Sequence, residues 1–450
     1  MYIGFDYGTA NCSVAVMQGD QPELVALEKG NPYIPSTICA PTRESVSEDL
    51  FRFRDIQPSG DIGERLLRRS IAFNKEEDIR LEQDDVHYGE GALNTYLQEP
   101  GEVYYVKSPK SFLGASGLHE NQLSFFEDLV CSMMANIKHQ AESQLEQTIH
   151  QAVIGRPINF HGRGGEAANK QAISILSSAA KRAGFQDVQF QYEPVAAGLE
   201  YEASLTKDMT VLVVDIGGGT TDCSLIQMGP SYRTLSDRSA SLLSHSGQRV
   251  GGNDLDIYLA FKRLMPAFGL GSKATSGIDM PITQFWNPIA INNVEAQKSF
   301  YARQNLADLK TLQKMAQDPS KLSRLLQVYF DTLGHHLVRK AEEAKIALSD
   351  NQHFAAKLAH LSDAIEIDIS QSQMIEAIDS PKSKMIELVK EAVQRGQTQP
   401  DAIFMTGGSA RSPILRDAVQ QVLPNVPVIG GNYFGSVTAG LARWAQTCYA

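Results

Sequence analysis

The segment VLVVDIGGGTTDCSLI, residues 211–226, decides the fold of this chain. Its first four residues are apolar and mostly β-branched, which is typical of a buried strand, and the strand ends at Asp215. Three glycines at 217–219 predict a tight turn with positive φ, after which the chain returns as a second strand. Such a turn exposes backbone N–H groups to a phosphate, and Asp215 and Asp222 can hold a hydrated cation beside it. A plain glycine-rich hairpin is the alternative interpretation.

The N-terminus repeats this pattern. Residues 2–16, YIGFDYGTANCSVAV, place Asp6 at the end of a short strand, a turn at Gly8 and Thr9, and a returning strand from Cys12. Two copies nearly half the chain apart indicate two related lobes, each offering a phosphate-binding hairpin to a shared cleft. Chance repetition of two short motifs is the alternative, so the remaining motifs have to agree with the pattern.

Composition limits the class of protein. A chain of 450 residues with 42% hydrophobic and 21% charged residues is long enough for two or more globular domains. Its net charge of −11 argues against nucleic acid or an anionic membrane as the main partner. The five cysteines are scattered without C-x-x-C spacing, which indicates a reducing compartment and no zinc site. Because neither a signal peptide nor a run of ~20 apolar residues is present, we expect a cytoplasmic protein.

Two segments in the first half carry candidate polar groups. Lys110 lies in the loop PKSFLG, where an exposed lysine is the ordinary interpretation. Glu193 lies where a strand meets a helix whose first turn contains Pro194, and ligands of open α/β sheets bind at that edge. Residues 36–39, after a proline-containing turn, predict an edge strand.

A helix predicted over residues 325–349 presents three polar residues on one face. Glu342, Lys345 and Ser349 are spaced i, i+3 and i+7, which brings them to the same side of a helix. From the spacing alone, a solvated ion pair is the ordinary interpretation.

Glycine turns recur towards the C-terminus. Gly251 and Gly252 precede a helix for which Asn253 and Asp254 are candidate N-caps. Further on, an apolar strand leads into the turn TGGSAR, residues 406–411. The glycine backbone of that turn can approach a flat base or a phosphate, and its arginine can stack on the base.

Together these motifs occur in the order of the actin-like ATPase fold, an α/β fold of two duplicated ribonuclease-H-like lobes around a nucleotide cleft. More narrowly, the chain resembles the nucleotide-binding domain of the seventy-kilodalton heat-shock chaperones. The resemblance is carried by the two Asp-Gly hairpins, the EPVAA element that begins at Glu193, the Gly251–Gly252 turn, the lysine loop and the TGGS turn. It implies a lobe I over residues 1–206, to which 427–450 return, and a lobe II over 207–426.

The resemblance also implies roles for the matching residues. A hydrated Mg²⁺ would be held by the carboxylates of Asp6 and Asp215. The catalytic groups would be Lys110, Glu193, Thr220 and Asp222. ATP or ADP would be bound by Gly8, Thr9, Ala10, Gly217, Gly218, Gly219, Glu342, Lys345, Ser349, Gly407, Gly408, Ser409 and Arg411. Such a set suits phosphoryl transfer, which needs positioning and charge neutralisation more than a strong base.

Three positions depart from the family pattern. Ala10 stands where a second threonine is usual, Asn253 where an acid is usual, and Ile346 where an arginine is usual. None of these departures removes a metal carboxylate or Lys110, so ATP binding follows from the resemblance more directly than the rate of hydrolysis does.

The partner expected from the resemblance is a protein. Chaperones of the family continue through a leucine-rich linker into a peptide-binding domain, which this chain lacks, so we expect a folded client or co-chaperone-like partner rather than an extended peptide. The candidate surface is residues 270–331, whose aromatic residues are Phe285, Trp286, Phe300 and Tyr301. An ordinary helical subdomain is the alternative for this region. A small-molecule kinase and a filament-forming protein of the same superfamily remain the alternative functions.

Overall fold

A computed structural model describes residues 1–99, 101–160, 165–233, 235, 238–430 and 435–450. The strands in these ranges are β1 Tyr2–Tyr7, β2 Asn11–Gln18, β3 Gln21–Leu24, β4 Tyr33–Pro35, β5 Thr37–Ala40, β6 His87–Tyr88, β7 Tyr104–Lys107, β8 Gln151–Arg156, β9 Asp187–Tyr192, β10 Met209–Ile216, β11 Thr221–Met228, β12 Leu242–Gln248, β13 His353–Leu358, β14 Ile365–Ser370, β15 Ala402–Thr406 and β16 Val428–Gly430.

The helices of the same ranges lie mostly between and around these strands. They are α1 Arg43–Arg52, α2 Gly60–Glu76, α3 Gly89–Gln98, α4 Glu120–Leu145, α5 Gly165–Arg182, α6 Glu193–Ala203, α7 Gly252–Leu259, α8 Thr283–Trp286, α9 Val294–Tyr301, α10 Arg303–Met315, α11 Pro319–Phe330, α12 Gly334–Ala347, α13 Gln371–Ala377, α14 Asp379–Gly396, α15 Pro413–Val422 and α16 Ser436–Tyr449. In the described part of the chain, no helix is both long and apolar enough to cross a membrane.

The two principal sheets have the same strand order. The first runs β3-β2-β1-β8-β9, with β4 added beside β2, and the second runs β12-β11-β10-β15-β16. Each begins with an antiparallel hairpin and continues into two parallel strands. The repetition seen in two short hairpins therefore extends over whole sheets, and the predicted duplicated α/β fold is confirmed.

Two helices, α6 and α16, lie between the sheets, where an apolar cluster joins both sheets and both helices. Glycines allow the closest contacts in this layer. A Cβ on Gly4 would lie 2.1 Å from the backbone nitrogen of Ala442, and one on Gly440 would lie 1.7 Å from the carbonyl oxygen of Ala196. The last helix is therefore fixed against the first sheet and against α6 by backbone contacts that leave no room for a side chain.

The chain passes from the second sheet to the first later than the expected boundary at residue 427. β16 pairs with β15 and so belongs to the second sheet. After β16, the described chain packs against the first sheet at α16. Residues 431–434, which connect them, lie outside the described ranges.

The prediction of an edge strand at residues 36–39 is wrong. β5 lies in the middle of a small sheet, between β6 and β7. Pro35 instead pairs at the end of β4 with Asn11 of β2, so the proline marks the point where the chain changes sheets. At that point the hydroxyl of Ser36 donates to the carbonyl oxygen of Gly8 at 2.7 Å, which supports the first glycine turn.

The prediction of one continuous helix over residues 325–349 is also wrong. α11 ends at Phe330 and α12 begins at Gly334. Thr332, between them, has φ of 50°, a left-handed conformation that ends a helix. A Cβ on Gly334 would lie 2.0 Å from the carbonyl oxygen of Pro288, so the second helix starts where the backbone meets another loop.

The four aromatic residues named for the expected partner surface belong to the core of the second lobe, as the alternative of an ordinary helical subdomain predicts, while partner binding through residues 270–331 stays a prediction. Phe285 and Phe300 are completely buried, and Trp286 and Tyr301 pack against the same apolar cluster. The rings of Phe300 and Tyr301 meet edge to face, with 5.0 Å between their centroids. Residues 270–331 form a helical subdomain whose aromatic side chains stabilise it.

We expect Gly440→Ala to lower the free energy of unfolding by about 3 kcal/mol, since a methyl group there meets backbone atoms that cannot move aside. Gly91→Ala is the matched control, because a Cβ at Gly91 would meet no atom within 4 Å. That substitution should be neutral or stabilise by about 0.5 kcal/mol. Chemical denaturation of the two variants measures both effects. Equal stability of the variants would contradict the packing described for α16.

Candidate functional site

The two glycine turns meet at the floor of a cleft between the sheets. A Cβ on Gly218 would lie 2.5 Å from the Cβ of Ala10, and one on Gly219 would lie 2.7 Å from Cγ2 of Thr9. None of the three glycines at 217–219 has φ in the left-handed range, so the predicted positive φ is wrong. Glycine is required here because the backbones of the two lobes approach each other closely.

Helix α7 contributes its first backbone N–H groups to the same floor. The N–H of Gly252 donates to the carbonyl of Gly217 at 2.9 Å, and that of Asn253 donates to the carbonyl of Gly218 at 2.7 Å. Gly251 is the N-cap of α7, and Asp254 accepts its N–H at 2.8 Å. The prediction of Asn253 and Asp254 as N-caps is therefore wrong: Asp254 lies within the first turn of the helix.

A cavity of about 490 Å³ lies above this floor, between the two lobes. All but three of the predicted site residues line it, namely Asp6, Gly8, Thr9, Ala10, Glu193, Asp215, Gly217, Gly218, Thr220, Glu342, Lys345, Ser349, Gly407, Gly408, Ser409 and Arg411. A volume of several hundred cubic ångströms is typical of sites for small organic ligands. The chain thus brings together residues separated by up to four hundred positions in sequence, while the roles assigned to them stay predictions.

Lys110 lies just behind the wall. Its side chain is almost fully buried, and its Nζ donates to Oε1 of Glu193 and to the carbonyl of Gly155 at 3.4 Å. The ordinary interpretation of Lys110 as an exposed lysine is therefore excluded. The ammonium is held at the cavity by Glu193, which itself lines the wall.

Asp222 and Gly219 are the other two predicted site residues that do not line the cavity. Asp222 is buried opposite Asp215 in the register of the second hairpin, and the side chain of Thr220 hydrogen-bonds to it. Gly219 faces a smaller cavity on the other side of the turns. Both residues therefore support the floor of the cavity from behind.

The buried end of the cavity concentrates negative charge. Burial, with the charge of Glu193 as the next cause, raises the pKa of Asp6 and of Asp222 to about 7. The pKa of Asp215 is raised well above its usual range by burial and then by Glu193, Asp222 and Asp6. Burial opposes the charge of Lys110, but Glu193 and Asp6 outweigh it and raise the pKa of that ammonium. The carboxylates therefore exceed the positive charge that faces them.

This donor set fits Mg²⁺. Magnesium prefers oxygen ligands, keeps several waters, and needs one or two carboxylates together with substrate phosphates. Asp6 and Asp215 line the cavity from opposite lobes, and a Cβ on Gly407 would lie 2.5 Å from Oδ1 of Asp215, so backbone glycine keeps that side open. Among the described residues no group of three or more His, Cys, Asp or Glu side chains could hold a metal directly. An ion here would be held through water and phosphate oxygens.

The other end of the cavity is built on α12 and the turn after β15. Nζ of Lys345 lies 2.7 Å from Oδ1 of Asp256 and 3.4 Å from the carbonyl of Gly252. Asp256 is buried, and that burial raises its pKa to about 6 while Lys345 lowers it. Sequence reasoning missed Asp256; the available signal was an acid one turn into the helix that follows Gly251 and Gly252.

Three further residues complete this end. Ser349 lies just past the end of α12, and its hydroxyl donates to the carbonyl of Lys345 at 3.1 Å. Ile346 is 60% exposed on the wall, so the departure from the family pattern places an apolar side chain there. Gly407 has φ of 87° and passes close to the backbone of Ile216, which only glycine allows.

Tyr33 is a second residue that sequence reasoning missed. It lies in β4, opposite Ser13 of β2, and lines the cavity on the same wall as Asp6. Burial, and then the charge of Asp6, raise the pKa of its phenol, so the hydroxyl stays protonated at neutral pH. The signal available was the turn-strand segment around it, whose pairing with β2 the sequence does not reveal.

The family model of the Hsp70 protein matches residues 2–46 and 115–279 of this chain. The matched ranges contain both glycine turns, Glu193 and the start of α7. Lys110, α12 and the turn after β15 lie outside them, although the fold brings these elements to the same cavity.

We expect Lys110→Met to lower the unfolding free energy of the nucleotide-free protein by about 3 kcal/mol, because it leaves buried carboxylates without their cation. Glu193→Gln should cost less than about 1 kcal/mol, because it removes one of several like charges while Lys110 keeps Asp6 as a partner. Urea denaturation at pH 8 compares the two variants. Equal losses of unfolding free energy in the two variants would contradict an excess of carboxylates over cations at this end of the cavity.

Proposed function

The chain belongs to the Hsp70 protein family, and on this premise we propose that it binds Mg·ATP in the cavity between the lobes and hydrolyses it slowly to ADP and phosphate. Membership makes it a nucleotide-binding protein of the chaperone type. The observation that supports the finer proposal is the convergence of both glycine turns with Asp6, Glu193 and Asp215 at one end of a 490 Å³ cavity, with Lys110 and Asp222 buried directly behind them.

In the proposed complex the phosphates lie against the two turns and the nucleoside lies towards α12. The turn containing Gly8 and Thr9 and the turn at 217–220 would donate backbone N–H groups to the phosphates. Lys345, held by Asp256, and Glu342 would bind the ribose, with the glycines after β15 beside the base. Bound Mg²⁺ would neutralise phosphate charge, with Asp6 and Asp215 holding its water ligands.

For hydrolysis, the oxygen of a water molecule forms a bond to the γ-phosphorus while the bond to the β–γ bridging oxygen breaks and ADP leaves. Glu193 and Asp222 would orient that water, and Thr220 would contact the γ-phosphate. Lys110 would place positive charge beside the oxygens that gain negative charge in the transition state. The proton released by the water passes to solvent or phosphate, so no strong base is required.

We also propose that the lobes move apart and close with nucleotide, and that a protein partner senses this movement. The lobes touch above the cavity, where the hydroxyl of Tyr96 donates to the carbonyl of Thr332 at 2.9 Å. The ring of His335 lies edge to face against Tyr96 and Tyr105, at centroid distances of 5.2 and 5.3 Å. An opening of the cleft that separates these residues would break these contacts, so they are the proposed difference between the closed and open states.

Three measurements separate this function from its alternatives. Steady release of ADP without an added acceptor supports an ATPase switch. Release of ADP that depends on a small-molecule acceptor would indicate a kinase. Sedimentation that depends on nucleotide would indicate a filament-forming protein. Affinity capture of partners in the ATP and ADP states would then identify the client. The cytoplasmic location of the protein stays a prediction.

We expect Asp215→Asn to raise the Mg²⁺ concentration needed for ATP binding, because a hard-cation site loses one carboxylate. Calorimetry of ATP binding at several Mg²⁺ concentrations measures this requirement. Asp308→Asn, which changes an exposed residue of α10, is the matched control. Unchanged affinity and metal dependence in Asp215→Asn would remove this residue from the metal site.

We expect Lys110→Ala to bind nucleotide nearly as well as the wild type but to hydrolyse it at least roughly tenfold more slowly in a single turnover, because its charge matters mostly in the transition state. Lys310→Ala, at an exposed position of α10, should hydrolyse ATP at the wild-type rate. If Lys110→Ala also retains that rate, the buried lysine serves stability alone.

A further inference from the structure

A second cavity lies on the far side of the two glycine turns. It is small, about 20 Å³, and its floor is formed by Thr9 and Gly219 at the tips of the turns. One side is the loop of lobe I that contains Lys107 and Ser108, and the other side is the segment of lobe II that contains Arg249 and Asn253. Thr9 and Asn253 line both this cavity and the nucleotide cavity. The turns are therefore a common wall between the two.

The chemistry of the second cavity is that of an anion site. Lys107 and Arg249 are the charged residues that line it in the described part of the chain, and both are cations. They come from opposite lobes. The acids that interact with them electrostatically, Glu342 and Asp256 for Lys107 and Asp254 for Arg249, do not line this cavity. Arg249 is exposed and donates to the carbonyl of Asn292 at 2.7 Å, and both residues line the cavity. One hydrogen bond leaves further N–H groups of the guanidinium that can donate to an anion.

A buried hydroxyl group without a partner points to the same conclusion. The side chain of Ser108 is 94% buried by the fold, and its Oγ has no hydrogen-bond partner. Ser108 also has φ of 60°, a conformation that costs a non-glycine residue about 1 kcal/mol or more. Its N–H donates to the carbonyl of Ser36 at 2.8 Å, and its own carbonyl accepts the N–H of Ser111 at 3.0 Å. The backbone is thus fixed on both sides, and Ser108 is one of the residues that line the cavity.

We propose that this cavity binds a small tetrahedral oxyanion, and that its occupant in the working protein is the inorganic phosphate produced by ATP hydrolysis. The assignment of phosphate as the natural occupant depends on the function proposed above. The resting volume of about 20 Å³ holds a single water molecule. This volume is too small for a phosphate, so binding of phosphate requires the long, flexible side chains of Lys107 and Arg249 to turn aside and then to contact it.

The charges on the two sides of the common wall favour movement of the released phosphate from the nucleotide cavity to the second cavity. On the nucleotide side, a phosphate released from ATP meets more carboxyl groups than ammonium groups, since Asp6, Glu193, Asp215 and Asp222 surround Lys110. On the far side, Lys107 and Arg249 attract it, and the Ser108 hydroxyl can donate a hydrogen bond. The distance between these environments is the thickness of one turn, because Thr9 lines both cavities. The product therefore has a favourable position to occupy before it reaches solvent.

The test is binding of inorganic phosphate to the full chain saturated with Mg²⁺ and a non-hydrolysable ATP analogue, measured by phosphorus NMR or calorimetry. The analogue fills the γ-phosphate position, so phosphate that still binds must bind elsewhere. We expect saturable binding that Arg249→Gln and Lys107→Gln each weaken about tenfold, the loss of one charge-assisted contact. Arg303→Gln, at an exposed position of α10, is the matched control and should leave phosphate affinity unchanged. Thermal unfolding confirms that all three variants are folded.

Two outcomes would overturn the proposal. One is the absence of saturable phosphate binding to the analogue-loaded wild type. The other is binding that both Arg249→Gln and Lys107→Gln leave unchanged. Failure of the proposed function would be seen separately, as failure of the analogue itself to bind. In that case the same titration of the nucleotide-free chain still tests the second cavity. If Lys110→Ala loses phosphate binding while Arg249→Gln retains it, the anion binds in the larger cavity instead.

Discussion

The contact between the two glycine turns is the constraint on which the rest of the site depends. Gly218 lies against Ala10 so closely that a single methyl group on the glycine would separate the lobes. This contact sets Asp6 and Asp215 on opposite walls of one cavity. It also presents the carbonyls of the second turn to the first N–H groups of α7. The small side chain of Ala10 therefore suits the fold, because Gly218 leaves little space beside it.

The same geometry is electrostatically unfavourable for the protein without a bound cation. Four carboxylates share its buried end with Lys110, and burial raises the pKa of Asp6, Asp215 and Asp222. Folding therefore opposes the ionised form of these groups, and a bound cation would relieve that opposition. Perturbed carboxylates of this kind cluster at functional sites, because the arrangement that suits a ligand is not the one that suits the free protein.

The parts of the structure that local sequence determines were predictable, and the parts that tertiary contacts determine were not. Short glycine motifs in the sequence identify the hairpins, their acidic residues and the turn after β15. These motifs predicted the duplicated fold and most of the residues that line the cavity. The break at Thr332 depends on the packing of Gly334 against Pro288. The N-cap at Gly251 likewise depends on its approach to the second turn, and the ion pair of Asp256 with Lys345 joins two helices that are far apart in sequence. Helical periodicity and capping preferences carry no information about such distant partners.

The asymmetry of the cavity suggests which part of the nucleotide controls the lobes. On the proposed function, the nucleoside end consists of Glu342, Lys345 and the turn after β15, which belong to the second lobe, whereas the phosphate end is built from both lobes. A ligand shifts a conformational equilibrium only through contacts that differ between the two states. A nucleoside held by one lobe makes the same contacts whether the cleft is open or closed. On the proposed function, the terminal phosphate bridges Lys110 and Thr9 to Thr220, so its removal withdraws the attraction that holds the lobes together while the nucleoside stays bound.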